Sequence, residues 1–352
     1  MGHFFPETGT GVCESDVQRY SNGGVPLPEK QLIAQIRRMA GTSTAGRSRL
    51  PQPAILKGIG DDCAVLRLLP GRDSLVTTDF SLEGIHFRRD WHAPESVGHR
   101  CLVRGLSDIA AMGGEPVAAF LSLALPRSLP QSWVGRFGRG LISLGEKCGV
   151  TLAGGDVAES PNGILADIIV VGSVPKGKAV LRSGARPGDR IFVSGELGGS
   201  AAAVARMMAT RKKVNPSDYR RHFYPEPRLE IGQVLRKKRI ASAMIDLSDG
   251  VSTDLAHICE ESGVGAELEL EMIPRARIGK PAREVDLDLA LHGGEDYELL
   301  FTVPAGKRVP RHIAGVALAE IGRITRSRKI VVRNAKGIGY ELLARGWEHF
   351  RK

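Results

Sequence analysis

Aspartates recur in this chain at places where a metal ion and a phosphate group would meet the backbone. Asp61 and Asp62 stand just before an expected strand in GIGDDCAVLRLL, and Asp79 ends the alternating run SLVTTD. Asp156 follows TLAGG, Asp246 and Asp249 flank the end of AMIDLSDG, and Asp108 alone falls inside an expected helix. Mg²⁺ takes hard oxygen ligands in an octahedral array, and glycine lets the backbone come close to phosphate. Any one of these carboxylates has a plainer reading, since Asp-Gly and Asp-Asp at strand ends make turns or cap helices. Repeated through the chain and set beside glycines, they point to metal-assisted chemistry on phosphates.

Common nucleotide signatures do not account for them. GSVPKGKA at 172–179 has the GxxxxGK spacing, but Ala179 stands where a P-loop needs Ser or Thr for Mg²⁺. Gly184 and Pro187 then fall where its helix would run, so the match is a decoy. No GxGxxG follows a strand, and neither HExxH nor GxSxG occurs.

The elements that must position the carboxylates follow from periodicity. A helix over 29–40 places Leu32, Ile33, Ile36 and Met39 at helical spacing, with Gly41 as its stop. Another over 94–113 has Val97, Cys101, Leu102, Ile109 and Met112 as its apolar stripe before Gly113-Gly114. Strands are expected at 74–79, 117–125, 150–153 and 164–174, with a helix over 130–148. Past a Pro-Gly-Asp turn, helices around 198–210, 226–238 and 252–262 interleave with strands at 243–247, 265–271 and 297–303. Such interleaving makes the class α/β or α+β.

A chain of 352 residues exceeds the usual size of one core, so two domains are expected, with the boundary within 174–188. Residues 1–28, rich in Gly, Pro, Ser and Thr, read as a flexible arm. The two domains are then 29–178 and 179–352. No apolar run reaches the roughly 18 residues of a membrane span, and the N-terminus lacks a signal-peptide pattern, so the expected setting is cytoplasmic. Cys13, Cys63, Cys101, Cys148 and Cys259 are scattered and odd in number, which fits reduced thiols and no zinc site. Net charge is +10, with much of the excess between Arg206 and Arg239. Without interleaved aromatics that stretch reads as a solvated helix face, and nucleic acid is not the expected partner.

Seven blocks in order carry a family resemblance: GIGDDCAV (58–65), TTDFSLEGIHF (77–87), LSDIAAMGGEP (106–116), LAGGD (152–156), LRSGARPGD (181–189), IDLSDG (245–250) and HGGEDYELLFT (292–302). Together they resemble the thiamine-monophosphate kinases, of the superfamily that includes aminoimidazole ribonucleotide synthetase and selenophosphate synthetase. The resemblance spans about 29–350. It implies ATP-dependent phosphorylation of thiamine monophosphate to thiamine diphosphate, with several Mg²⁺ ions and room for a monovalent cation. It implies an aminoimidazole-ribonucleotide-synthetase-like fold of two α/β domains, and a homodimer whose N-terminal sheets join into a barrel.

Position by position, the resemblance makes Asp62, Asp79, Asp108, Asp156, Asp246 and Asp249 metal ligands, with Thr77 and Thr78 adding oxygens beside Asp79. Asp62 also faces ATP, together with Gly154, Gly155, Arg182 and Ser248. His86 in GIHF, Glu295 in GGED and Trp347 in GWEHF correspond to contacts of thiamine phosphate.

The chemistry agrees. A phosphate oxygen of the acceptor would be the nucleophile, already ionised because a monoester's second pKa is about 6, so no general base is required. What must be overcome is repulsion between two anions, a task for metal ions and Arg182 in a loose, in-line transition state. Two rival readings remain. One is another ATP-dependent synthetase of the superfamily, for which TGTGVCESD around Cys13 lacks a nearby Lys. The other is a basic nucleic-acid-binding protein on a degenerate kinase fold, whose mark would be steeply salt-dependent binding.

Overall fold

The computed structural model describes residues 27–42, 55–57, 59, 63–67 and 69–347. The expectations for most of the arm and for Asp61 and Asp62 lie outside the described residues.

Helix α1 (Glu29–Thr42) buries Leu32 and Ala40. Strands β1 (Ile55–Lys57) and β2 (Val65–Leu66) form a short antiparallel pair. Next come β3 (Arg72–Leu82), α2 (Pro94–Ala111), β4 (Glu115–Pro126), α3 (Gln131–Cys148), β5 (Thr151–Ser160) and β6 (Leu165–Pro175). Their sheet runs β3-β6-β4-β5, antiparallel except for the parallel β4–β5 pair. Helices α2 and α3 cover one face through Leu102, Leu106, Phe137 and Leu141, against Leu121, Leu123, Ile168 and Val170.

Helix α2 explains most of the site. Pro94 sits in its first turn, where a missing N–H costs nothing, and Gly113 leaves it at φ 67°. It is buried nearly all round, Ser96, Arg100 and Ser107 included. At Gly105 a Cβ would stand 2.6 Å from Val170 Cγ2, so glycine lets the helix lie directly on β6. The C-terminal end of α2 then joins a second core, where Ala110 and Ala111 meet Phe192, Met244 and Phe301.

The second half contains β7 (Arg190–Ser194), α4 (Gly199–Thr210), α5 (Arg220–Phe223), α6 (Leu229–Lys237), β8 (Ala243–Asp246), α7 (Val251–Ser262) and β9 (Gly265–Glu269). A small β10 (Arg277–Ile278) and β11 (Arg283–Glu284) pair precedes α8 (Leu287–His292). The remaining strands are β12 (Leu299–Val303), β13 (His312–Ile313), β14 (Val316–Thr325), β15 (Ile330–Arg333) and β16 (Gly339–Glu341). The large sheet runs β16-β15-β9-β14-β7-β12-β8, with β13 on β14. Among the described strands of this half only β9 and β15 pair in parallel, which makes it α+β. Strand β12, next to the edge strand β8, is buried at all five positions because both sheet faces are covered, and so it reads as a nearly continuous apolar run.

Three local expectations change. Asp79 lies within β3, which continues to Leu82, and Asp156 lies within β5. Both strands outrun their apolar alternation because one face or edge is exposed. The strand expected at 265–271 stops at Glu269 and turns into a 3₁₀ segment, Leu270–Met272. GSVPKGKA leaves the end of β6 as a turn, with no helix after it. The basic stretch is not simply a solvated face: Arg221, Arg228 and Arg236 turn inward onto Glu196, Glu298 and Glu115. Among the described residues no helix is long and apolar enough to cross a membrane.

Candidate active site

Strand alternation puts Thr77 and Asp79 on the face of β3 that meets α2. Thr77 Oγ1 donates to Asp108 Oδ2, and Ser107 Oγ donates to Asp246 Oδ2 at 2.7 Å. Asp79, Asp108 and Asp246 thus converge from a strand, a helix and the end of β8. Burial holds all three carboxyls above the ordinary range, and Asp108 raises Asp79 and Asp246 further. The Arg182 charge works the other way on Asp108 and Asp246. Asp79 Oδ2 is buried with no hydrogen-bond partner among the described residues.

The loop after β8 brings in the rest. Asp254 Oδ2, at the start of α7, accepts from the Asp249 and Gly250 amides at 3.1 and 3.0 Å, which fixes the SDG turn. Glu295 N donates to Ser248 O at 2.8 Å, and Tyr297 N donates to Leu247 O at 2.9 Å. Trp347 N donates to Asp249 O at 3.3 Å, so the half-exposed indole stands beside the same turn. His86 Nδ1 accepts from Leu82 N at 2.9 Å, while its carbonyl accepts from Arg100 Nη2 at 3.3 Å. Ser248, Asp249 and Trp347 are thereby tied by backbone bonds to the loop that carries Glu295, and His86 meets the same Arg100 that holds Glu295.

Glu295 takes φ 63°, a left-handed conformation that is costly for a residue with a Cβ and so marks a site held by its surroundings. The holding groups are Arg100 (2.6 Å) and Arg104, which both donate to its carboxylate. Burial alone would raise the Glu295 pKa, but these two arginines hold it well below the usual carboxylate range. Arg100, Arg104 and Asp108 follow at four-residue spacing along one helix face. That spacing was the available sequence signal for the two arginines, which the motif blocks do not cover.

Other predicted residues lie apart. Thr78 is on the opposite face of β3, donating to Asp167 Oδ1 at 2.7 Å. Strand register continues that row from Phe80 and Asp167 through Ser122 to Asp156, so Asp156 is three strands away on the outer face. Gly155 takes φ 149°, and a Cβ there would stand 1.9 Å from Leu121 O. Gly154 and Gly155 thus already have a packing role against β4.

A buried polar layer supports Glu295 from behind. Arg100 also donates to the His222 carbonyl, and His222 Nε2 lies 2.9 Å from His92 Nε2. Ser200 Oγ is 2.9 Å from His222 Nδ1, and Asp296 accepts from the Gly198 and Ser200 amides at the start of α4. Burial, then the Arg100 charge, pushes His92 down to about 4 and His222 well below its ordinary value. An unfolded chain binds protons at these histidines near pH 6.5, whereas folded His92 does so only near 4. Between those values the unfolded state holds more protons, so this contribution to stability is lost as pH falls. His92→Gln should therefore gain on the parent by up to about 3 kcal/mol between pH 7 and 4. Buried carboxyls such as Asp296, raised to about 7 by burial, act in the opposite sense, so the difference between parent and variant is the quantity to read by urea denaturation. A pH-independent difference would contradict the assignment.

Among the described residues no three His, Cys, Asp or Glu side chains are placed to hold a metal ion by themselves. Mg²⁺ does not require that, because it keeps waters and phosphate oxygens and takes only one or two carboxylates. The unpartnered Asp79 Oδ2 and three mutually repelling carboxyls are what such an ion would satisfy, so the donor set fits.

Fold and site together define a phosphate-handling enzyme of the AIR-synthase type. Residues 60–174 match the AIR synthase related protein, N-terminal domain, and 186–334 match its C-terminal domain. The chain is 37% identical over 307 residues to thiamine-monophosphate kinase of Salmonella typhimurium, covering 83% of this chain and 91% of that protein. The solved thiamine-monophosphate kinase of Stenotrophomonas maltophilia superposes with TM-score 0.74 at 33% identity, over 85% of this chain and 95% of that one. AaThiL complexed with AMPPCP and TMP superposes with TM-score 0.71 at 33% identity, over 81% and 89%. The chain belongs to the thiamine-monophosphate kinase family.

Proposed function

We propose that this chain transfers the γ-phosphoryl group of ATP to the phosphate of thiamine monophosphate, giving thiamine diphosphate and ADP. The observation that carries the reading is α2 itself. Near its C-terminal end it faces the Asp79–Asp108–Asp246 carboxylates, and one to two turns earlier Arg104 and Arg100 hold Glu295, with the His86 carbonyl also on Arg100. A related protein binds an ATP analogue and TMP together, as such a pair of neighbouring groups requires.

Asp79, Asp108, Asp246 and Asp249, with Thr77 and Asp62, would hold Mg²⁺, which neutralises phosphate charge when bound and aligns the two anions. Arg182 and Ser248 face ATP from the same end. Thr78, Gly154, Gly155 and Asp156, set apart from that cluster on the outer sheet face, would serve metal or ATP there, where a second copy of the chain is expected to sit. Val76 and Phe80 are 68% and 54% exposed on that face, which supports a homodimer closed through the N-terminal sheets. His86, Glu295 and Trp347 orient the acceptor. ATP as co-substrate fits a cytoplasmic setting. The inward-turned Arg221, Arg228 and Arg236 leave less of the basic stretch for nucleic acid.

Chromatography of products from ATP, Mg²⁺ and thiamine monophosphate tests the reading, with thiamine as the control acceptor. Thiamine diphosphate with one ADP per product supports it, and absence of both overturns it. In the same assay Trp347→Ala should raise the acceptor KM about tenfold with kcat nearly kept, because a stacked ring contributes binding area. An unchanged KM would return Trp347 to a packing role.

A further inference from the structure

We propose that Arg104 binds the phosphate of the acceptor and so makes the site select a phosphorylated ligand over its unphosphorylated parent. The inference rests on the proposed function, which supplies the acceptor's identity. Along α2, Arg104 is one turn from Arg100 and one from Asp108, about 6 Å in each direction at 1.5 Å per residue. An acceptor whose ring end meets Glu295 and whose phosphate meets the carboxylates must pass over that turn.

Charge points the same way. Two arginines face the single carboxylate of Glu295, leaving one positive charge in excess. Arg100 is engaged by Glu295 and by the His222 and His86 carbonyls, and its side chain is only 4% exposed. Arg104 is 13% exposed, and among the described residues its one hydrogen bond runs from Nη2 to Glu295. A guanidinium has five N–H donors, so the others are left for a ligand in the cleft. Asp79 lies near enough to feel the Arg104 charge, yet its Oδ2 takes no hydrogen bond from it. The Tyr297 hydroxyl, buried and unpartnered among the described residues, lies among the same charges of Arg104, Glu295 and Asp79. A phosphate between Arg104 and the metal-binding carboxylates would complete this constellation. The plainer alternative is that Arg104 only holds Glu295 in place.

Equilibrium titration of thiamine monophosphate and of thiamine into the full chain with Mg²⁺, without ATP, separates the two. Arg104→Gln should weaken thiamine monophosphate by on the order of 10–100-fold, the range for a charge-assisted hydrogen bond, while thiamine changes by less than about threefold. Equal weakening of both ligands would make Arg104 a positioning residue only and overturn the proposal, as would no weakening of either. If Arg104→Gln does not fold, Arg104→Lys decides on the same ratio. A point charge lacks the planar fork, so the preference for the monophosphate should fall about tenfold, and an unchanged preference overturns the proposal. A parent that binds no thiamine monophosphate would overturn the proposed function itself, a result distinct from a parent that binds it and a variant that loses nothing.

Discussion

Asp79→Asn should lower kcat by at least about a thousandfold while leaving the metal-free fold as stable as the parent, or more stable. The two halves of that expectation have one cause. Asp79 is held above the ordinary carboxyl range by burial and by Asp108, so its negative charge works against folding unless a cation is present. Asparagine keeps the shape, spares the Thr77–Asp108 contact and removes the repulsion. Because Asp79 Oδ2 has no hydrogen-bond partner among the described residues, the substitution breaks no such bond at that atom. The checks are kcat from the product assay and thermal unfolding in EDTA and in Mg²⁺. Mg²⁺ should stabilise the parent by binding only the folded state, and should stabilise the variant less. Near-normal turnover would remove Asp79 from the metal site. A large loss of stability in EDTA would instead make it a structural residue.

Asp79 also illustrates how far the sequence could be read. Its motif block located it, and alternation along β3 separates Thr77, facing α2, from Thr78, facing away. Nothing within TTD says which of the two faces is the inner one. That depends on where α2 lies, and α2 is seated by the contact of Gly105 with Val170, residues 65 positions apart in sequence. Asp156 stands apart from the cluster for a related reason: register across three strands decides its face, and the β4–β5 pair carries a shift near Ala119. Element types were more legible than element ends, since apolar spacing reports burial and stops reporting where a strand reaches an exposed edge, as in β5. The arginines of α2 fall in no motif block, and charged residues in a helix usually mark its solvated face. Here the helix is buried nearly all round, and Arg100 and Arg104 turn onto Glu295.

The same enclosure makes Glu298 the most consequential carboxylate outside the site. Its side chain is 1% exposed and accepts from Ser194 Oγ at 2.5 Å, from Arg228 Nε at 2.6 Å and from Arg221 Nη1 at 3.4 Å. Its carbonyl accepts from Leu247 N, so it anchors the segment that begins at Glu295 to the end of β8. Arg228→Met should cost about 3–5 kcal/mol, because a buried charge loses its main partner and cannot reach water. Arg221 offers limited relief, being already committed to Glu196 at 2.9 Å. Adding Glu298→Gln should recover most of the loss, since the pair contributes less to stability than either half left alone costs. Denaturant unfolding of the two single variants and the double variant measures this cycle. A single Arg228→Met variant within about 1 kcal/mol of the parent would show that Arg221 takes over the carboxylate. In the expected case kcat/KM for the acceptor falls in Arg228→Met even below its unfolding temperature, because Glu295 keeps its left-handed backbone only while the residues after it are held.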